Sequence, residues 1–290
     1  MPKEQPYYTL LVENGEDFKV YYCLDRFNKR LRVDDYEGDA GSVCARMLEI
    51  AKANALTKLF IKTREEDWQS LLSRGRMLEG IYKGYYHGAR DAYCMAYYLD
   101  LERRTSEYWT REDRILEEAL KLAVKADPLD LPEDFTPRVA GPRDAGRLAA
   151  LYAEVFQTYP TPMNDPSYVA KVMEEGTLFY LIEQTPDLLI SAASAEINDH
   201  YRNAEMTDCA TLPAYRGRGL MRVLLQALEN ELAGRKIASV YSLARALSFG
   251  MNACFRRLGY GYYGRLTKNC DIYDKFEDMN LWAKTLPGKL

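Results

Sequence analysis

Residues 210–232, ATLPAYRGRGLMRVLLQALENEL, place an Arg-Gly-Arg-Gly step between an extended run and a helix. Leu220, Val223, Leu224, Leu228 and Leu232 recur at the spacing of one helical face, so a helix begins just after Gly219. Glycines at 217 and 219 cost backbone entropy unless the turn needs them. A strand that enters a glycine-rich turn and then a helix converges backbone N–H groups on one point. The positive end of the helix dipole adds to that point. With Arg216 and Arg218 as countercharge, the stretch reads as a site for a phosphate or pyrophosphate.

Two familiar phosphate turns do not fit. GRGLMR lacks the Gly-Lys-Ser/Thr step of a P-loop, and no Mg²⁺-binding acid motif follows a strand. A Rossmann turn needs a third glycine where Arg222 stands, and the runs before this loop look antiparallel.

Outward from the loop the pattern stays readable. Downstream come a short β-branched strand (IASVYSL, 237–243) and a helix (ALSFGMNACFRRLG, 246–259) with Leu247, Met251, Cys254, Phe255 and Leu258 on one stripe. Two aromatic strands follow, YGYYGRL (260–266) and FEDMNLWAKTL (276–286). Upstream, TLFYLIEQ, DLLISAASAEIN and NAEMTDCATL read as strands. Before them lie a helix capped by Asp165 with Pro166 at its first position, and another carrying Leu148, Leu151, Tyr152 and Val155. From Pro137 onward the order is β-α-α-β-β-β-α-β-α-β-β, an α+β domain with one mixed sheet. Pro128, Pro132 and Pro137 mark a linker over 126–136, dividing a first domain (1–125) from a second (137–290).

Shifted by 179 positions, DDYEGDAGSV…KLFIKTREEDWQSLLSRGRMLEGIYKGYY falls on PAYRGRGLMR…IASVYSLARALSFGMNACFRRLGYGYYGR without a gap. Tyr36 meets Tyr215, Gly38 meets Gly217 and Gly80 meets Gly259. Identities are few, but strand, helix, strand, helix, glycine and aromatic strand recur in one order, the form of a degenerate internal repeat. In the first copy Glu37 and Asp39 stand where Arg216 and Arg218 do. Two carboxylates would repel a pyrophosphate, so this domain is expected not to bind the ligand and to act as scaffold or substrate lid.

Composition narrows the rest. With 47% apolar and 28% charged residues and a net charge of −4, nothing points to a nucleic-acid groove or an anionic membrane. No apolar run approaches the roughly 20 residues of a membrane helix, and MPKEQPYYTLLVENG lacks the plan of a signal peptide. Six cysteines without a CxxC pair read as reduced thiols of a cytoplasmic protein. His87 and His200, both in polar turn-like contexts, make neither a metal site nor a Ser-His or Cys-His catalyst.

Arg216-Gly217-Arg218-Gly219-Leu220-Met221 follows the [QR]xxGxG/A pattern after a strand, and the second half resembles the GCN5-related N-acetyltransferases (GNAT). Met221 departs from the usual Gly or Ala. The resemblance implies a GNAT fold, a mixed central sheet with flanking helices, preceded by a degenerate GNAT-like domain. It implies acetyl-CoA as cosubstrate, held by Cys209, Ala210 and Thr211 and by the loop Arg216 to Met221. EMTDCATLPAYRGRGL, LARALSFGMNACFRRLGYGYYGRLTKN and FEDMNLWAKTL resemble one family in particular, the β-lysine N-acetyltransferases. RGRMLEGIYKGYYHGARDAYCMAYYL extends the likeness into the first half. That family acetylates the side-chain (N6) amine of β-lysine to give a neutral compatible solute, beside a lysine 2,3-aminomutase. A homodimer is compatible with this reading. Another small amine or polyamine as acceptor, or a non-catalytic acyl-CoA-binding module, are the alternatives.

The chemistry sets further expectations. An amine of pKa near 10.4 is neutral in about one molecule in a few thousand at pH 7, so deprotonation costs roughly 4–5 kcal/mol. A base must take that proton. By resemblance Glu205, on the strand leading to the loop, is that base, and Asp208 holds a substrate amine. Strict strand alternation puts Glu205 with Thr207 and Asp208 with Met206, so only one acid would face a given cleft. The oxyanion donor is expected near Cys209 to Thr211. Many relatives protonate the leaving thiolate with a tyrosine where Phe255 stands; Tyr241, Tyr260 and Tyr262 are nearby, and Tyr262 is taken as the acid. Arg245 is the expected partner of the substrate carboxylate, with Lys268 and Asn269 as alternatives. Cys209 reads as core rather than nucleophile. A polyamine acceptor calls for an acidic cleft without a carboxylate-binding arginine.

Overall fold

The computed structural model describes residues 6–125, 127, 129–184 and 187–287. Ala126 and Pro128 of the expected linker lie outside the described residues, as do positions 1–5 at the N-terminus.

The first half runs β1 (Tyr8–Asn14), β2 (Phe18–Asp25), β3 (Arg30–Gly38), α1 (Ala40–Ala53), β4 (Lys58–Thr63), α2 (Trp68–Ser73), β5 (Met77–Tyr86), β6 (Arg90–Tyr98), α3 (Leu101–Arg104) and α4 (Trp109–Leu120). The second runs β7 (Phe135–Val139), α5 (Ala145–Val155), α6 (Pro166–Glu174), β8 (Leu178–Gln184), β9 (Leu188–Asn198), β10 (Asn203–Thr211), α7 (Leu220–Gly234), β11 (Ser239–Arg245), α8 (Phe249–Arg257), β12 (Gly261–Ile272) and β13 (Lys275–Thr285). The second half has the expected order of elements in an α+β arrangement. Its first strand begins at Phe135, earlier than the expected boundary. Pro137 is accommodated because β7 is the last strand of the sheet, where a missing N–H donor is tolerated. Among the described residues no helix is long and apolar enough to cross a membrane.

All thirteen strands form one sheet, in the order β1-β2-β3-β4-β6-β5-β12-β13-β11-β10-β9-β8-β7. From the central pair β5–β12 the succession is alike in both directions. The directions also correspond: β3–β4 and β10–β11 are the parallel pairs, while β4–β6 and β11–β13 are antiparallel.

Each half buries its own helix-covered face. Leu224, Leu225, Leu228 and Leu232 of α7 are fully buried against the second half of the sheet, and Val43, Met47 and Ala51 of α1 against the first. Full burial of one such leucine is worth roughly 1.5–3 kcal/mol. A third cluster straddles the junction, joining Phe60, Tyr82 and Tyr85 of the first half to Tyr241, Leu266 and Leu281 of the second. Beside it a cleft is lined by residues of both halves.

Candidate active site

Gly217 and Gly219 both have φ +79°, in the left-handed region that favours glycine, and Gly219 caps α7. The backbone N–H groups of Gly217, Arg218, Gly219, Leu220 and Met221 have no hydrogen-bond partner among the described residues. A helix N-terminus left open in this way favours an anion. Arg216 and Arg218 flank it, Arg216 anchored by its Nε on the Thr211 carbonyl at 3.1 Å.

The same position in the first half is closed. There β3 runs to Gly38 and Asp39 alone caps α1, its Oδ1 accepting the Ser42 N–H at 2.7 Å. A carboxylate of the chain thus occupies the anion position. Gly38 is pinned as well, since a Cβ there would lie 2.0 Å from the Asp17 carbonyl oxygen.

The open loop ends a cleft of about 660 Å³. Its walls are Thr207 to Thr211 of β10 and Ser242 to Arg245 of β11, with α8 alongside. The cleft exists because β10 and β11 stay paired only from Asn203–Ser239 to Glu205–Tyr241 and then diverge. Beyond that point the register of β10 against β9 slips between Thr207 and Ala210, and Asp208 sits in the bulge at φ +48°. Cys209, Thr211, Leu220 and Met221 line this cleft. Ala210 is buried beneath it, its carbonyl accepting the Ser191 hydroxyl at 3.0 Å. Burial pushes the Cys209 thiol well above its ordinary range, so it is not a standing nucleophile.

A second cleft of about 720 Å³ lies on the other side of the bulge, between the two halves. The second half contributes Glu196, Glu205, Asp208 and Tyr241; the first contributes Arg30, Arg32, Asp34, Lys62, Tyr82 and Tyr85. Glu205 faces Glu196 directly across β9–β10 and Tyr241 across β10–β11. Loss of solvent within the cleft first, then the charges of Glu205 and Asp208, push the carboxyl of Glu196 above its ordinary range, although the residue stays exposed at the rim. Asp208 turns into this cleft too, because the bulge shifts the phase of β10 by one position. The expectation that only one of the two acids faces a given cleft is therefore corrected.

Tyr159, Thr207 and Asp208 line both clefts, so the two spaces meet there. Asp208 is 6% exposed. Its Oδ2 accepts the Ser194 hydroxyl at 2.6 Å, the Tyr159 hydroxyl is also hydrogen-bonded to it, and its carbonyl accepts the Tyr152 hydroxyl at 2.8 Å. Burial raises its carboxyl to about 6, against the Ser194 and Tyr159 hydrogen bonds, with the Glu205 charge adding to the rise.

Several expected residues stand elsewhere. Tyr262 lines neither cleft; it packs edge-on against Trp282, ring centroids 5.8 Å apart, so its hydroxyl is not where a leaving thiolate would be. Tyr260 is buried, also outside both. Arg245 lies on the first cleft, not the second. Its guanidinium is 2.8 Å from Glu277 and stacks on Tyr273 at 4.5 Å, which removes it from an acceptor's carboxylate. Lys268 is 3.6 Å from Glu107 and lines neither cleft, while Asn269 borders the second. Residues not anticipated from the sequence are Tyr159, Glu196, Arg32 and Lys62. Among the described residues no group of His, Cys, Asp and Glu side chains is arranged to hold a metal ion.

Comparison with known proteins agrees with this geometry. The acetyltransferase (GNAT) family matches residues 147–260. N-acetyltransferase YodP of Bacillus subtilis is 43% identical over 262 residues, 90% of this chain and 94% of the relative. The β-lysine N(6)-acetyltransferase of Methanosarcina mazei is 35% identical over 272 residues, 87% of this chain and 100% of the relative. That of Methanococcus maripaludis is 30% identical over 261 residues, 90% and 94%.

Proposed function

The chain belongs to the GNAT N-acetyltransferases, in the family of the β-lysine N6-acetyltransferases, and on that premise we propose that it acetylates N6 of β-lysine with acetyl-CoA. The observation that carries the reading is the meeting of the two clefts at Tyr159, Thr207 and Asp208. Direct transfer needs a thioester and an amine brought to one point from opposite sides, and an entropic advantage follows from holding both.

The first cleft fits acetyl-CoA. The unpartnered N–H groups of residues 217–221, with Arg216 and Arg218, would hold its pyrophosphate, and the gap between β10 and β11 its pantetheine arm. When bound it supplies the activated acetyl group. The bulge around Cys209 turns backbone toward the cleft, which supports oxyanion stabilisation there.

The chain's own groups handle the protons. Asp208 receives the acceptor ammonium at the junction, and Glu205 takes its proton so that the neutral amine can attack. Tyr159 is the one tyrosine bordering both clefts, and its pKa well above the ordinary value keeps it a donor. Burial and the nearby Asp208 charge are the causes, and we assign it the proton for the departing thiolate. The product carries one charge fewer than the substrate, which suits an osmolyte accumulated in the cytoplasm. Residues 1–125 form a GNAT-like copy that does not bind CoA, a reading supported by Asp39 at the start of α1.

Thiol release from acetyl-CoA with β-lysine, with α-lysine and spermidine in parallel, tests the proposal. NMR of the product identifies the acylated nitrogen. Release fastest with β-lysine and acylation at N6 are expected. Preference for spermidine would move the acceptor class, and acetyl-CoA binding without release to any amine would leave an acyl-CoA-binding module.

A further inference from the structure

The second cleft is charged differently on its two walls. Glu196 and Glu205 lie on the wall from β9 and β10, whereas the cations come from the first half. Alternation along β3 explains the second fact. Leu31 and Val33 are fully buried in the first-half core under α1, which turns Arg30, Arg32 and Asp34 to the opposite face, toward the cleft.

The three cations there differ in what they have left to offer. Arg30 is engaged: its Nε is 2.8 Å from Asp25, and its Nη1 donates to the Asn269 carbonyl at 2.9 Å. The Lys62 ammonium is 3.4 Å from Asp34 and lies near the Tyr82 and Tyr85 rings, 5.7 and 5.5 Å from their centroids. Arg32 donates through Nε and Nη2 to the two oxygens of Asp34, at 2.6 and 3.2 Å. That fork fixes the guanidinium plane, while its Nη1 has no hydrogen-bond partner among the described residues and its side chain is 33% exposed. Arg32 and Lys62 share Asp34, while Asp35 on the same wall is paired with Arg64 at 2.9 Å, so what this wall leaves open to the cleft is the Nη1 of Arg32. A part-buried guanidinium nitrogen without an acceptor is costly, and a ligand carboxylate supplies one.

We propose that Arg32, positioned by Asp34 and backed by Lys62, binds the carboxylate of the acceptor, so that the first half of the chain supplies the amino-acid specificity of a reaction catalysed in the second. The proposal rests on the second cleft being the acceptor site. It makes the acceptor class an amino acid with a distal amine: its carboxylate meets Arg32, its second ammonium meets Glu196, and its reacting amine reaches Asp208 and Glu205. A polyamine has no group for Arg32.

The test compares β-lysine with 1,4-diaminopentane, which keeps both amines at their spacing and lacks the carboxylate, in the wild type and in Arg32→Gln. Loss of one charge-assisted hydrogen bond predicts a KM for β-lysine raised about tenfold or more. kcat at saturation, the KM for acetyl-CoA and the kinetics with the diamine should stay within about twofold. Arg32→Lys should recover part of the β-lysine KM, because it restores the charge without the fork. Arg32→Gln with Asp34→Asn removes both members of the pair and covers the case in which the single variant misfolds.

Equal KM increases for both acceptors, or no change for either, would overturn the carboxylate subsite while leaving the acetyltransferase reading intact. A wild type that acetylates the diamine and ignores β-lysine would overturn the subsite and the β-lysine acceptor together, leaving only acetyl transfer. Calorimetric binding of β-lysine to wild type and Arg32→Gln reads the subsite apart from turnover; equal affinities would also overturn it.

Discussion

Gly80 and Gly264 face each other in register where β5 meets β12, the junction at which the two halves become one sheet. Gly264 has φ +139°, and a Cβ there would stand 2.2 Å from the Glu79 carbonyl oxygen and 2.5 Å from the Gly80 Cα. Backbone cannot move aside as a side chain can. Gly264→Ala is therefore expected to cost about 2 kcal/mol or more of stability. At Gly80 the nearest obstacle is the rotatable Leu281 Cδ2 at 3.0 Å, so Gly80→Ala should cost less. Urea unfolding of both variants checks the ranking; the reverse order would contradict it.

Gly217 separates cofactor binding from folding. Nothing lies within 4 Å of the position a Cβ would take, and only its φ of +79° opposes alanine. Gly217→Ala should cost roughly 1–2 kcal/mol of stability. The KM for acetyl-CoA should rise by about tenfold or more if the turn opens its amides to an anion, with the acceptor KM unaffected. Steady-state titration of each substrate distinguishes these effects, and an unchanged acetyl-CoA KM would count against the loop.

Glu205 and Asp208 should fail differently. Glu205→Gln is expected to lower kcat by about 10²-fold or more with little change in either KM. Asp208→Asn should raise the acceptor KM. Because burial holds the Asp208 carboxyl at about 6, its negative charge is lost as pH falls through that value. Wild-type kcat/KM for the amine should then drop on the acid side of about 6, and Asp208→Asn should lack that limb. A limb that persists in the variant would assign it to another group.

Two tyrosines give a direct contrast. Tyr159→Phe should reduce kcat by about tenfold, as loss of a general acid does, while Tyr262→Phe stays within about twofold. Comparable kcat values for the two variants would remove Tyr159 from the proton path.

Glu112 and Asp278, a carboxylate pair that lines neither cleft, give the fold its own pH dependence. Burial, then the hydrogen bond and charge of Asp278, push Glu112 up to about 8 in the folded chain. In the unfolded chain it titrates near 4.3. Between those values the folded state keeps a proton that the unfolded state has released, so Glu112 makes stability fall as pH rises from about 4.5 to about 8. Glu112→Gln should flatten this decline, read as the difference between variant and wild type in denaturant midpoints at pH 5 and pH 8. Parallel declines would exclude Glu112 as its source.

What the sequence disclosed was what local chemistry determines. The start of α7, the positive-φ glycines and the order of elements in the second half follow from turn residues and periodicity. The like succession of strands in the two halves has its trace in the sequence as glycines at matched spacing, where side chains diverge. The acids on β10 were assigned to opposite faces because a bulge is a one-residue slip with no residue type that announces it. Arg32, Lys62 and Glu196 were missed for another reason. Charges alternating with leucine and valine on a strand look like a solvated face, and only the approach of the other half makes that face a cleft wall. Arg245 misled because its partner, Glu277, comes from a different strand, and no local pattern reveals that pairing.

The mirrored strand order has a consequence for what this arrangement can evolve toward. In a two-fold dimer of identical chains every residue beside the axis appears twice, so a basic wall on one side forces the same wall on the other. Here the near-symmetric layout belongs to a single chain. Asp39 can close one helix terminus while Arg216 and the glycines keep the other open, and the cations of the shared cleft can all come from one half while the other half lends acids alone among its Asp, Glu, Lys and Arg side chains. A like succession of strands within one chain thus leaves each half free to differ from the other, and makes a lopsided pocket, fit for a lopsided molecule, attainable by single substitutions.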